Sequence, residues 1–273
     1  MLFNHQRNRA RRGLTLAELL VATTIMLMIA TAVGALATTV QTTNSFCQGY
    51  TVSAQHARVA LSRIENTIQA CYANEQFPGF IVVSEQAGGQ YLPYTLVIWK
   101  PASGTPANPA GLPLVSELVI YAPDPAHPNE LIELSAPTET GTVPAATDMT
   151  NWRILTDQLK SSTSTNKVVL TTRLRTAPLT GSYSDTLSPS DLRGLVRFRR
   201  VMAPTEQEWA QYRGSTRSWQ DIAWPLDSYR LTSGTRAVVC QTELQIAPGS
   251  MASAAATAIP FYGSTSITYE LPR

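Results

Sequence analysis

One carboxylate, Glu18, stands at the head of an otherwise apolar run, for Leu19 to Ala37 carries no formal charge. An acid at the middle of a bilayer-spanning helix costs about 2.5 to 3.5 kcal/mol on insertion scales, and less near an end. Such a cost points to pairing, because in an apolar medium a negative charge is stabilised chiefly by a positive one beside it. The other candidates for chemistry are thinner. Asp124, His127 and Glu130 lie within seven residues and are donor types that bind cations, but the prolines interleaved with them favour a tight connection between two strands. His56 falls on a helical stretch and His5 near the start, so the histidines do not converge for zinc or for acid–base work. Gly-x-Ser-x-Gly, P-loop and His-Glu-x-x-His patterns are absent, and the many Ser and Thr hydroxyls have no evident base. The reading is a non-enzyme with no cofactor and no metal. Trp209, Tyr212, Trp219 and Trp224 form an aromatic-rich stretch that is the first place to look for a partner surface, although most tryptophans simply pack.

An uncharged run of that length, at 1.5 Å per residue, makes a helix of roughly 28 Å, close to the hydrocarbon thickness of a bilayer. Arg7, Arg9, Arg11 and Arg12 precede it without an acid, so the positive-inside rule keeps residues 1–13 in the cytoplasm and sends the rest outward.

The residues Gly13, Leu14, Thr15, Leu16, Ala17 and Glu18, after a short basic leader and before the apolar run, resemble the N-terminus of type IV prepilins and of type II secretion pseudopilins. The resemblance covers roughly residues 7–45. It implies cleavage after Gly13 by a membrane prepilin peptidase, N-methylation of the new terminus at Leu14, and assembly of the helix with other pilin or pseudopilin subunits, with Glu18 as the assembly acid and Thr15 and Leu16 as motif positions. One departure is that the first mature residue in this family is most often Phe or Met, where this chain has Leu14. Size and general pattern are most like the J-type pseudopilins and W-type minor pilins. The implied location is a bacterial inner membrane, in contact with its lipid, crossed once, with a periplasmic C-terminal domain. Competing readings are a signal-peptidase site at Ala35-Leu36-Ala37, a twin-arginine signal at Arg11-Arg12-Gly13-Leu14, and a membrane-anchored periplasmic binding module with no filament role. An ordinary signal explains neither the length of the apolar run nor the acid inside it.

Charge agrees with an anchor and one outer domain. Four of the 21 basic residues and none of the 19 acids lie in residues 1–13, leaving 17 basic and 19 acidic residues and a formal charge of −2. No nucleic-acid surface is expected; Arg193, Arg197, Arg199 and Arg200 read as a strand with one solvated face. Cys47 and Cys71 are too far apart on one helix to bond, which leaves Cys71 with Cys240, or three thiols.

Past the apolar run, Phe46, Tyr50, Ala54, Ala57, Leu61, Ile64, Ile68 and Cys71 draw one apolar stripe, so a single helix is expected from about Leu14 to Ala73, with Gly49 its weak point. Strands are expected at Phe80–Val83, Tyr94–Trp99, Glu117–Ala122, Leu131–Leu134, Lys167–Arg175, Leu195–Met202, Ala237–Ile246 and Ser266–Leu271, with a short helix at Glu206–Tyr212 capped by Thr205. With no long amphipathic helix between strands, the class is α+β, a long N-terminal helix packed on antiparallel sheet. The expected organisation is a leader at 1–13, a membrane and assembly helix at 14–40, and a globular domain at 41–273.

Overall fold

The computed structural model describes residues 15–87, 89–179, 191–225, 228–248 and 259–273. Residues 1–14, with the leader, Gly13 and Leu14, lie outside the described residues. Helix α1 runs Leu16–Gln69, and the chain divides into a unit Met1–Gln48 and a compact unit Gly49–Arg273. The helix stops short of Ala73 because the Tyr72 N–H is captured by the Trp99 carbonyl at 2.9 Å, which turns the backbone toward the sheet.

In the second unit, strands β1 (Phe80–Ala87), β2 (Gln90–Trp99), β3 (Leu118–Pro123), β4 (Leu131–Ser135) and β5 (Asn166–Thr171) form a five-stranded sheet in chain order. Helix α2 (Met149–Ser161) lies between β4 and β5 in sequence. Strands β6 (Thr176–Pro178) and β7 (Leu192–Gly194) make a small ribbon. Strand β8 (Val196–Ala203), helix α3 (Glu206–Arg213), β9 (Ser233–Ile246) and β10 (Ile259–Pro272) follow, and the last sheet has the order β10-β9-β8. Every strand pairing is antiparallel.

The five-stranded sheet is covered on both faces, which is why its strands read as nearly continuous apolar runs rather than alternating ones. Phe80, Leu96, Ile98, Tyr121 and Leu131 pack with Ala57, Ala60, Ile64 and Ile68 of α1 and with Phe198, Val238 and Leu244 of the other sheet. Ile81, Val83, Val97, Trp99 and Ile132 point the other way, toward Trp152 and Leu159 of α2. This helix is absent from the expected pattern. Its buried side chains are Trp152, Thr156 and Leu159, and Asp148 caps it by accepting from the Asn151 N–H. Its apolar stripe, Met149, Trp152, Leu155 and Leu159, spans only three turns and is set among polar residues, so it is easily missed.

The buried face of α1 also differs from the apolar stripe. Phe46 and Tyr50 are exposed, and burial begins at Ser53 and continues through Ala57, Ala60, Ile64, Thr67 and Ile68. Small and hydroxylated residues let the sheet approach closely and find partners there: Ser53 Oγ donates to the Ala247 carbonyl at 3.0 Å, and Thr67 Oγ1 lies 2.8 Å from Tyr121 Oη. Gly49 belongs to the same close approach, because a Cβ there would stand 2.6 Å from the Pro248 carbonyl oxygen. Among the described residues no disulfide forms; burial pushes the Cys71 thiol up to about 12 and Cys240 up to about 11.

One polar chain ties α1 to the sheet. Arg63 binds Glu133 through two hydrogen bonds of 2.8 and 2.9 Å, and Tyr121 Oη donates to the same carboxylate at 2.9 Å. The Arg63 bond holds the Glu133 carboxyl below the usual carboxylate range although burial opposes it. A depressed carboxylate stabilises the fold above its unfolded value of about 4.3 and loses that contribution as pH falls through its folded value. Glu133→Gln should therefore lower stability by about 1 to 2 kcal/mol at neutral pH. In urea titrations the gap from wild type should shrink steadily at acid pH; a gap independent of pH would show that the charge contributes nothing.

Candidate functional site at the N-terminal motif

The motif residues inside the structure are Thr15, Leu16 and Glu18. Thr15 precedes the first residue of α1 and acts as its cap: its Oγ1 accepts from the Glu18 N–H at 3.3 Å, while Glu18 Oε2 accepts from the Thr15 N–H at 2.9 Å and from the Thr15 hydroxyl at 3.0 Å. This is a reciprocal capping box, in which two helix-end donors that would otherwise lack partners are satisfied by side chains. The same device recurs at α3, where Thr205 and Glu208 make the corresponding bonds at 2.9, 2.9 and 3.2 Å. A negative charge in the first turn also complements the helix dipole.

Beyond Glu18 the helix presents apolar side chains on every side. Leu16, Met28 and Leu36 are 83, 72 and 65% exposed, and no residue from Leu16 to Gln48 belongs to the buried face. The helix is long and apolar enough to cross a membrane. Its hydroxyls suit that medium, because Thr23, Thr24, Thr31, Thr38 and Thr39 each donate back to a carbonyl three or four residues earlier and so carry their own partners.

The aromatic stretch is placed differently from an open surface. Trp209, Trp219 and Trp224 are buried in a small core with Ile222 and Leu271, and ring centroids of Trp219 and Trp224 lie 4.6 Å apart. Trp219 Nε1 donates to the Arg230 carbonyl and Trp224 Nε1 to the Trp219 carbonyl, so both indole donors are spent inside the fold. Tyr212, packed on Trp219 at 5.2 Å, is half-buried, so what this cluster offers a partner is a rim.

Asp124, His127 and Glu130 do come together, with one potential ligand atom from each within 4.8 Å of the others. The group is the turn between β3 and β4: the Asp124 N–H donates to the Glu130 carbonyl and the Glu130 N–H to the His127 carbonyl. Burial pushes the Asp124 carboxyl up, but the Lys167 ammonium and the Ala126 N–H outweigh it and hold the group low. Its lone pairs are therefore already engaged by a cation of the chain itself.

A second polar group has no signature in the sequence, since its members lie 75 and 65 positions apart. Lys160 of α2 donates to Glu85 and, at 2.9 Å, to Thr95 Oγ1; burial pulls its ammonium down against the attraction of Glu85. Asp157, pushed up by burial and by Glu85, shares with them a cleft of about 580 Å³.

Residues 8–34 match the family model of the prokaryotic N-terminal methylation motif. No curated protein and no solved structure matches the chain. With that motif at the head of an exposed apolar helix and antiparallel sheets behind it, the chain is similar to the type IV pilins and pseudopilins, and the motif points to a structural, membrane-anchored subunit rather than an enzyme.

Proposed function

We propose that this protein is a minor pilin or minor pseudopilin, a structural subunit of a type IV pilus or type II secretion filament, held in the bacterial inner membrane before assembly. The observation that carries this reading is the methylation motif over residues 8–34, which joins a basic leader to the capped, exposed helix. In this reading a prepilin peptidase cuts after Gly13, Leu14 becomes the methylated terminus, residues 14–40 form the membrane and assembly helix, and residues 41–273 form a periplasmic domain. A domain of this size suits a subunit used in few copies, such as a J-type or W-type one, better than one repeated along a shaft.

Gly13 admits the backbone to a peptidase at the membrane face because it has no side chain to clash. Intact-mass and N-terminal analysis of membrane-extracted protein should begin at Leu14 and carry one added methyl group, and Gly13→Val should leave the precursor uncut. A start at Thr38, after Ala37, would establish an ordinary signal peptide and remove the assembly reading.

The cleft beside Lys160 favours a second reading, a membrane-anchored binding module that uses the motif only for export. Co-purification with other chains bearing the same leader supports the filament subunit; a solitary protein supports the module.

A further inference from the structure

Strand β10 is 14 residues long and pairs on one side only, being the outer member of the order β10-β9-β8. Strands of five or six residues are usual, and exposed edges are normally blunted by charge, proline or a bulge. Here the register from Ile259↔Ile246 to Pro272↔Ser233 runs without a shift, the prolines Pro260 and Pro272 stand near the ends, and Glu270 is the sole charged residue of the strand. Along most of its length the outer backbone N–H and C=O groups therefore face away from β9, and no strand among the described residues pairs with them.

Beside this edge runs a groove of about 310 Å³ between α1 and β10, lined by Arg58, Leu61 and Glu65 on one wall and Phe261 and Tyr262 on the other. At the neighbouring Gly263 a Cβ would stand 2.8 Å from Glu65 Oε1 and 3.0 Å from Leu61 Cδ2, so the ends of these two helix side chains lie directly against the strand. Arg58 and Glu65 have no ion-pair partner among the described residues. Tyr262 is 70% exposed at the rim.

We propose that the free edge of β10 accepts an extended strand of a different polypeptide chain, with an acid facing Arg58, an apolar residue facing Leu61 and a base facing Glu65. Arg58 and Glu65 are about 10 Å apart along the helix. Alternate side chains of a strand repeat every 6.7 Å or so, so three successive inward positions span the wall within reach of the long charged side chains. Main-chain hydrogen bonds supply the attraction and the charge order supplies direction. The proposal rests on the fold alone, so a failure of the filament reading leaves it standing.

The test uses the full chain in detergent and a labelled synthetic peptide with that alternating pattern, read by fluorescence anisotropy. Two further peptides carry backbone N-methyl groups on alternate residues, one set in each phase. Only one phase of amides faces β10, so one N-methylated peptide should lose about tenfold or more in affinity while the other keeps it. Combined Arg58→Glu and Glu65→Arg substitution should weaken the original peptide about three- to tenfold, and a charge-reversed peptide should restore binding. Absence of binding, equal binding of both N-methylated peptides, or indifference to the charge swap would overturn the proposal. Self-association of the chain that the peptide displaces would assign the edge to a second copy and overturn it equally.

Discussion

Glu18→Ala is expected to insert in the membrane and to be cut after Gly13, yet to be missing from assembled complexes and unable to complement a deletion strain. In the proposed reading, removal of the leader gives Leu14 a new amino group, which a carboxylate four residues along the helix would neutralise, in its own subunit or a neighbour's. Breaking a buried ion pair costs about 3 to 5 kcal/mol, which corresponds to a loss of incorporated subunit of about a hundredfold or more. The capping box adds a second role that must be separated from the first, because Glu18 also satisfies the Thr15 N–H and hydroxyl. Glu18→Gln keeps an acceptor for the cap and removes the charge. Thr15→Ala does the reverse, breaking the cap at about 1 kcal/mol while leaving the carboxylate. If the charge sets register, Gln should fail as Ala does and Thr15→Ala should assemble; the opposite pattern, scored by quantitative blotting of purified complexes, would make Glu18 a helix cap and nothing more.

The second large effect is expected at Gly79, where the chain leaves α1 for β1. Its φ is +85°, and a Cβ would stand 2.5 Å from Ile267 Cδ1 and 2.8 Å from Cys71 Sγ. Its carbonyl also accepts from the Trp99 N–H at 2.8 Å, so the backbone cannot swing away without breaking into the sheet. Left-handed backbone strain of about 1 to 2 kcal/mol adds to overpacking of about 1 to 3 kcal/mol, and Gly79→Ala should lose about 2 to 5 kcal/mol. Gly104 provides the control, with φ +76° and nothing within 4 Å of its Cβ position. Gly104→Ala should cost only the backbone share. Urea unfolding followed by tryptophan fluorescence checks both, and equal losses would show that crowding at Gly79 relaxes without penalty.

How much could be read in advance depends on how local each determinant is. The long helix, its charge-free run and the Thr205-capped helix α3 were legible, because each is written within a few turns of one segment, whereas Thr15 and Glu18 read as motif positions and the structure shows that they also cap the helix. The eight expected strands all exist, though β10 begins at Ile259, seven residues before the expected Ser266, since hydroxyl-rich Gly263–Ser266 pairs through backbone with β9 rather than through apolar side chains. Strand β5 ends at Thr171 rather than Arg175. Helix α2 escaped because its apolar stripe of Met149, Trp152, Leu155 and Leu159 is short and set among polar residues, yet it helps to cover the second face of the five-stranded sheet.

The contacts that tertiary structure alone decided share one feature, a large separation along the chain. Ser53 finds the Ala247 carbonyl, Thr67 finds Tyr121, Arg63 finds Glu133, and Lys160 finds Glu85. Ser53, Thr67 and Lys160, polar residues that local pattern assigns to solvent, are buried or half-buried because a distant backbone or side chain supplies their hydrogen bonds, while Arg63 stays exposed and reaches a half-buried carboxylate. The tryptophans show the converse, since residues that composition offers as a surface are drawn inward once Leu271 and Ile222 give them apolar neighbours. Periodicity and capping act over a few residues and can be read in order, whereas burial is a property of what the other strands bring to the same place.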